Sequence, residues 1–245
     1  MFVSSLSVDR DLLSDAQQGQ WPFTIPCVAA IAQDRLELTR PVTFLVGENG
    51  SGKSTLVEAI AEAFGLDARG GRAGRKYGND RGKTPLGQVL RLGLTREGTR
   101  MRTGARSRHQ GYFLRAETTF GLAEVVSGRP GYWAGNLDER SHGEGFLTIF
   151  ESMFTTPGLY LMDEPEAALS FRSCLRLIAL MHQLGETGAQ VICATHSPLL
   201  ASTPGADIIE VGEDGYRRAD WGSLDLTDHW RRYLASPEQY LRRLL

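Results

Sequence analysis

Short apolar runs alternate with helically spaced apolar positions along most of this chain. Val42–Val46 is a β-branched and aromatic run that stops at Gly47, which is typical of a buried strand. After a glycine-rich turn, apolar residues recur at helical spacing from Thr55 to Phe64. We therefore expect strand, turn and helix to follow one another directly here.

The same two patterns return further along the chain. They predict strands at Val89–Leu92, Tyr112–Leu114, Gly158–Met162 and Ala189–Ala194. They predict helices over 118–126, 143–154 and 175–184, and a last short helix behind the capping pattern Ser236–Gln239. Residues 67–84 combine basic residues and glycines with few apolar ones and are expected to form a solvated loop. The alternation favours a mainly parallel sheet flanked by helices.

Length and composition narrow the class of protein. The 245 residues fit one large domain over 1–245, and a net charge of −2 argues against a surface that is basic throughout. Three widely spaced cysteines, Cys27, Cys174 and Cys193, predict buried thiols and neither a disulfide framework nor a zinc site. We see no secretion signal and no apolar run of membrane-spanning length, so we expect no intrinsic membrane segment and a cytoplasmic location.

The turn after the first buried strand matches the phosphate-loop pattern G-x-x-x-x-G-K-[ST]. Its glycines let backbone N–H groups converge on phosphate oxygens, and the helix that follows adds its positive end. We expect Lys53 to reach the β- and γ-phosphates and the Ser54 hydroxyl to bind Mg²⁺. The predicted cofactors are ATP and Mg²⁺, and the predicted ATP-binding residues are Gly47, Asn49, Gly50, Ser51, Gly52, Lys53, Ser54 and Thr55.

Further candidate residues stand where two other predicted strands end. Asp163 and Glu164 follow one strand at the edge where open α/β sheets bind ligands. We expect Asp163 to hold hydrated Mg²⁺ and Glu164 to act as general base toward the attacking water. His196 follows the next strand and would contact the γ-phosphate or orient the water.

A separate helix start lies at Ser141-His142-Gly143-Glu144. A serine followed three places on by a glutamate is the capping-box pattern. Helix N-termini also attract anions. From the residues alone, Ser141 either caps a helix or faces a phosphate.

Taken together, these motifs resemble the ABC-type P-loop ATPase family, in its small stand-alone branch near SMC and DNA-repair heads. The resemblance covers about residues 20–245 and is carried in order by GENGSGKSTLVEAIA, FLRAE, SHGE, LYLMDEPEAALS and ATHSP. It implies an α/β fold with a mainly parallel sheet, an N-terminal antiparallel β part and a short helical arm. That arm would span about 85–140 and carry the signature at its end.

The resemblance also implies residues that act between two subunits. Ser141 and Gly143 would contact the γ-phosphate bound by a partner subunit in a head-to-tail homodimer, and 166–170 would form the loop that crosses to the partner. His142 and Glu144 depart from the usual SGGQ signature. Glu117 stands where the family has a glutamine, and it is either an Mg²⁺ ligand or an ordinary surface acid. The adenine-stacking aromatic is Trp21 or Phe23.

The expected function is Mg²⁺-dependent ATP hydrolysis coupled to ATP-driven homodimerisation. Its process is expected to be a DNA transaction or repair, since the resemblance leads toward SMC heads and the run from Arg69 to Lys83 is basic. One alternative is an ATP-gated regulatory or defence component with slow turnover and an unknown protein partner. Another is the ATP-binding subunit of a membrane transporter.

Overall fold

The structure is a computed structural model that describes residues 1–68, 70–72, 82–103, 111–115, 151 and 157–242. In these ranges the strands are β1 (Val3–Val8), β2 (Leu36–Glu37), β3 (Val42–Val46), β4 (Gly71–Arg72), β5 (Leu90–Leu94), β6 (Gly111–Arg115), β7 (Leu159–Asp163), β8 (Gln190–Thr195), β9 (Asp207–Gly212) and β10 (Gly215–Arg218). The helices are α1 (Asp15–Gln18), α2 (Pro26–Gln33), α3 (Lys53–Phe64), α4 (Pro85–Val89), α5 (Arg96–Thr103), α6 (Phe171–Glu186), α7 (Pro198–Ala201), α8 (Asp225–Ala235) and α9 (Pro237–Leu241).

The larger sheet has the strand order β10-β9-β3-β8-β7-β6-β4. The five strands from β9 to β6 run parallel, and an antiparallel strand closes each edge. Because parallel strands end at the same edge of a sheet, the residues that follow β3, β7 and β8 come together. In register, Asp163 pairs with Ala194, and Val46 pairs with Thr195.

A second, antiparallel sheet has the order β2-β1-β5. Its two ladders are both antiparallel, which agrees with the expected N-terminal antiparallel β part. The fold is therefore the mixed α/β arrangement predicted from the sequence. The expected helical arm lies largely outside the described residues.

Apolar residues cover both faces of the larger sheet. On β7, Leu161 belongs to a core shared with β1, α2 and α3, whereas Met162 faces a second core built with α6. Strands buried on both faces read as continuous apolar runs, which is why β3 and β7 stand out in the sequence. All three cysteines are buried and unpaired, as expected. No helix in the described ranges combines the length and apolar character needed to cross a bilayer.

Several predicted elements need correction. The solvated loop expected over 67–84 contains β4, a two-residue edge strand paired with β6. Val89 ends α4 and does not begin a strand; α4 starts behind Thr84, whose side chain accepts a hydrogen bond from the Gly87 N–H. Ser236 precedes α9 but makes no side-chain capping bond, because its backbone conformation (φ −155°, ψ 79°) differs from that of a capping serine. The helices predicted over 118–126 and 143–154 lie outside the described residues, apart from Glu151.

Candidate nucleotide-binding site

The phosphate loop connects β3 directly to α3, as the motif requires. Gly50 and Gly52 adopt left-handed conformations, with φ of 84° and 97°. A side chain on Gly47 would place its Cβ 2.2 Å from the Val211 carbonyl oxygen. These glycines are therefore needed for local conformation and for close packing, and they keep the loop backbone free to curl around an anion.

Lys53 opens α3 and lies almost entirely inside the protein, with 3% of its surface exposed. Its Nζ donates a hydrogen bond to the Glu48 carbonyl oxygen at 2.7 Å. Burial lowers the pKa of Lys53 from its ordinary value, while the nearby Glu164, Asp163 and Glu166 carboxylates oppose that shift. The loop thus holds its cation against its own backbone, close to where phosphate oxygens would bind.

The hydroxyl of Ser54 joins the phosphate loop to the end of β7. Its Oγ donates a hydrogen bond to Asp163 Oδ1 at 2.7 Å. A hydroxyl and a carboxylate oxygen are suitable ligands for Mg²⁺, which commonly takes one or two protein ligands and completes its shell with phosphate and water. Within the described ranges, no cluster of three or more His, Cys, Asp or Glu side chains offers a denser metal site.

Arg115 is a functional candidate that the motifs did not indicate. It ends β6 in register with Asp163, and its Nε lies 3.8 Å from Asp163 Oδ2. Its guanidinium also lies 3.5 Å from Glu58 Oε2 and donates to the Ala68 carbonyl oxygen at 3.4 Å. The signal that would have identified it is register: Arg115 ends a strand at the same sheet edge as Asp163.

Glu164 has an unusual backbone. Its φ of 49° is the single positive value among the non-glycine residues that the structure describes. Its N–H donates to the Ala194 carbonyl oxygen at 2.9 Å, which holds the turn against β8. A left-handed non-glycine residue costs about 1–3 kcal/mol and occurs preferentially at functional sites.

His196 lies beside Glu164, as the parallel strand ends predict. Its Nδ1 is 3.4 Å from Glu164 Oε1 and 3.6 Å from Glu166 Oε1. The Glu166 carboxylate accepts hydrogen bonds from the Thr195 hydroxyl and the His196 N–H. Glu166 was expected in a loop that crosses to a partner subunit, but here its side chain binds its own chain.

The two candidates for adenine stacking differ in exposure. Phe23 is 7% exposed and belongs to the core, whereas Trp21 is 65% exposed. The same segment reaches the phosphate loop, because a Cβ on Gly52 would lie 2.5 Å from Ile25 Cγ2. Trp21 is therefore the aromatic that can offer a ring face to a ligand.

The predicted residues thus divide into two groups. The structure brings the phosphate loop, Asp163, Glu164 and His196 to one edge of the sheet. Ser141, Gly143 and Glu117 lie outside the described residues, and their roles stay predictions.

Two family models match separate parts of the chain. A model described as an AAA domain matches residues 29–88, and a model described as an AAA domain, putative AbiEii toxin, Type IV TA system, matches residues 145–202. The first segment contains the whole phosphate loop, and the second contains Asp163, Glu164 and His196. Ser141, Gly143 and Glu117 fall between the two.

Curated relatives include ATP-binding proteins of transport systems. The macrolide export ATP-binding/permease protein MacB 1 of Yersinia pestis bv. Antiqua is 32% identical over 106 residues, which are 43% of this chain and 15% of that protein. The ribose import ATP-binding protein RbsA 1 of Burkholderia cenocepacia is 32% identical over 195 residues, covering 71% of this chain and 37% of that protein. The chain therefore spans far less than two thirds of either relative.

Among solved structures, the SMC head domain from Thermotoga maritima is similar to 76% of this chain, with a TM-score of 0.45 and 17% identity, and the match covers 92% of that chain. The phosphate loop, the Asp163 strand end and the sequence relatives define the class. These findings support a P-loop ATPase of the ABC type.

Proposed function

We propose that this chain binds Mg·ATP at the edge of its larger sheet and hydrolyses it with Glu164 as general base. The observation that carries the proposal is the 2.7 Å hydrogen bond between Ser54 and Asp163, because it joins the phosphate loop to the acidic strand end. Glu164 then stands next to the metal-binding carboxylate and beside His196. The similarity to AAA-domain models and ATP-binding proteins supports ATP binding, and this arrangement supports hydrolysis.

Each side chain has a separate task in the proposed reaction. The loop backbone and Lys53 bind the phosphates, so the Nζ exchanges the Glu48 carbonyl for phosphate oxygens. Ser54 and Asp163 would hold Mg²⁺, which neutralises charge on the β- and γ-phosphates when bound. Glu164 accepts the proton of the attacking water, and His196 helps to hold Glu164 and the water in place.

We further propose that ATP joins two copies head to tail. His196 is 43% exposed and Glu164 is 30% exposed in the single chain, so water has open access to the proposed base. A second copy that brings Ser141 and Gly143 to the γ-phosphate would cover these residues and exclude bulk water. ATP would favour the dimer because it binds more tightly there than to the monomer. We place this cycle in the cytoplasm, where cells keep their ATP.

The test uses Glu164→Gln, with mass in solution measured with and without Mg·ATP. We expect hydrolysis to fall by about 100-fold or more while ATP binding persists, since the amide cannot take the proton. The trapped ATP should then produce a dimer, and Ser141→Arg should abolish it. Glu213→Gln, on an exposed loop position, is the matched control.

The two outcomes separate the two proposals. Undiminished hydrolysis in Glu164→Gln would remove the general-base role. An ATP-bound monomer would leave hydrolysis standing and would remove the homodimer, so a different partner would have to complete the site.

For the process, we propose a DNA transaction. Basic residues lie in the run from Arg69 to Lys83, of which Arg72 and Lys83 are among the described residues. Phosphate contacts by basic residues make binding strongly salt-dependent. Filter binding of duplex DNA at low and moderate salt should therefore show salt-sensitive retention, and no retention at low salt would exclude this role.

Two other processes have specific support in the comparisons. The toxin description of the model that matches residues 145–202 favours an ATP-gated defence or regulatory component. ATP-dependent association with very slow turnover would indicate it. The transporter relatives favour an ATP-binding subunit of a membrane transporter, and a copurifying membrane protein would indicate that.

A further inference from the structure

Glu166 is a buried acid two residues beyond the proposed base. Its side chain is 9% exposed, and its Oε1 accepts hydrogen bonds from Thr195 Oγ1 at 2.5 Å and from the His196 N–H at 2.9 Å. Thr195 Oγ1 in turn accepts from the Ser197 N–H at 2.9 Å. One carboxylate oxygen therefore fixes the chain as it leaves β8, immediately at His196.

The same oxygen lies beside the imidazole ring. His196 Nδ1 is buried, and two carboxylate oxygens, Glu164 Oε1 and Glu166 Oε1, lie 3.4 Å and 3.6 Å away. A carboxylate can only accept a hydrogen bond, so both neighbours favour a proton on Nδ1. A neutral imidazole that carries its proton on Nδ1 has a free lone pair on Nε2.

The two carboxylates are not held equally. Glu166 is fastened by two hydrogen bonds and its side chain is 9% exposed, whereas the side chain of Glu164 is 30% exposed. Glu166 is therefore the more firmly held of the two acceptors beside Nδ1.

We propose that Glu166 is a positioning residue that selects the Nδ1–H tautomer of His196. Nε2 then accepts a hydrogen bond from the attacking water while Glu164 takes the proton of that water. The use of Nε2 in hydrolysis rests on the proposed function, but the tautomer itself is a property of the nucleotide-free protein. Nδ1 is buried while 43% of the His196 side chain is exposed, so other parts of the side chain remain accessible to a ligand.

The first experiment reads the tautomer directly. Long-range ¹H–¹⁵N spectra are recorded at pH 8, without nucleotide, on protein whose histidines carry ¹⁵N. The His196 ring signals are those that disappear in His196→Asn. We expect the Nδ1–H form in the wild-type protein and its loss in Glu166→Met, which removes the acceptor oxygen beside Nδ1. Glu164→Gln and the exposed control Glu213→Gln should both keep it. Glu166→Gln keeps an amide oxygen as acceptor for Thr195, for the His196 N–H and for Nδ1, so it should retain the Nδ1–H form and is the conservative control.

Three results would overturn the assignment: an Nε2–H form in the wild type, a doubly protonated ring at this pH, or an unchanged tautomer in Glu166→Met. If Glu166→Met does not fold, Glu164→Ala decides instead, because it leaves Glu166 as the carboxylate beside Nδ1; loss of the Nδ1–H form in Glu164→Ala would overturn the assignment. These results do not depend on turnover, so they stand apart from the failure or success of the proposed hydrolysis.

A second experiment measures whether the substitution at Glu166 changes kcat or KM for ATP hydrolysis. If Glu166 acts through His196 on the water, Glu166→Met lowers kcat on the order of tenfold, as loss of a partner that orients a functional histidine typically does. The KM for ATP stays the same, because phosphate binding uses other residues. A raised KM with unchanged kcat would show that Glu166 supports the nucleotide pocket instead.

Discussion

At the scale of single residues, the site brings basic and acidic side chains close together. Lys53 and Arg115 approach the acidic group from the phosphate loop and from β6. Asp163 contacts both Ser54 and Arg115, so a metal ion bound there has to share the carboxylate with a guanidinium. Charge pairs at this distance and burial are worth several times their value in water.

Arg115 is expected to weaken metal binding. Arg115→Met removes a positive charge 3.8 Å from Asp163, so the Mg²⁺ or Mn²⁺ concentration needed for half-saturation should fall on the order of tenfold. The measurement is a Mn²⁺ titration followed by electron paramagnetic resonance, with ATP bound to Glu164→Gln protein.

Arg91→Met is the control, since Arg91 makes an exposed ion pair with Asp9 away from the site. Weaker metal binding in Arg115→Met would show that Arg115 supports the metal site and does not compete with it.

Trp21 is expected to stack on the adenine. Trp21→Ala should weaken ATP binding on the order of tenfold, because stacking of a base on an aromatic ring is worth about 1–3 kcal/mol. The affinity for inorganic triphosphate should not change. Trp230→Ala is the matched control, an exposed tryptophan on α8. Equal ATP affinities for the two variants would remove the stacking role.

The sequence motifs predicted most of the residues of this site. The residue that they missed, Arg115, is identified by the register between neighbouring strands. Asp163 and His196 were predicted because each follows a recognisable buried run. Arg115 matches no motif and becomes a candidate only when β6 is known to pair with β7. Glu166 was assigned to a crossing loop, and its contact with Thr195 depends on the left-handed turn at Glu164, which periodicity does not reveal.

At the scale of elements, the phosphate loop owes its shape to its neighbours as well as to its own glycines. Gly50 and Gly52 both have positive φ, but they differ in surroundings. A Cβ on Gly50 would meet nothing within 4 Å, whereas a Cβ on Gly52 would lie 2.5 Å from Ile25 Cγ2 and 3.1 Å from Cys27 Sγ. The N-terminus of α2 therefore supports the loop from one side.

This difference predicts unequal effects of alanine in the nucleotide-free protein. Gly50→Ala should cost about 1–2 kcal/mol of unfolding free energy, the conformational cost of a left-handed residue. Gly52→Ala should cost more, since Ile25 and Cys27 have to move as well. Urea unfolding without ATP is the measurement. Equal losses of unfolding free energy in the two variants would mean that Ile25 and Cys27 move at little cost and that α2 does not shape the loop.

Element boundaries were predicted well where the pattern is long and poorly where it is short. The strands β3 and β7 were predicted to within one residue, because each is a continuous apolar run. The strand β4 has two residues and exists through its pairing with β6, a partner distant in sequence. The start of α4 was signalled by Thr84-Pro85, a cap followed by proline, but the apolar residues beyond it suggested a strand.

At the scale of the whole molecule, the buried side chain of Gln190 connects the two sheets. Gln190 begins β8, and its Oε1 accepts from the N–H groups of Phe2 and Val3 at 2.7 Å and 2.8 Å. Its Nε2 donates to the Val3 carbonyl oxygen at 2.7 Å. The residue is fully buried, so no water can replace these bonds. The amide thus fastens β1 of the small sheet to the end of β8 remote from the nucleotide site.

Gln190→Leu should therefore destabilise the protein without changing its site. Three buried backbone groups would lose their partner, and each unsatisfied group costs about 1–3 kcal/mol, so the free energy of unfolding should fall by about 3 kcal/mol or more. ATP affinity should be retained, since Thr195 and His196 lie at the other end of β8. Gln88→Leu is the control, because its amide makes one exposed hydrogen bond, to the Lys83 carbonyl. Equal urea midpoints for the two variants would show that the Gln190 amide does not hold the sheets together. Weaker ATP binding in Gln190→Leu would instead show that the small sheet supports the site along the length of β8.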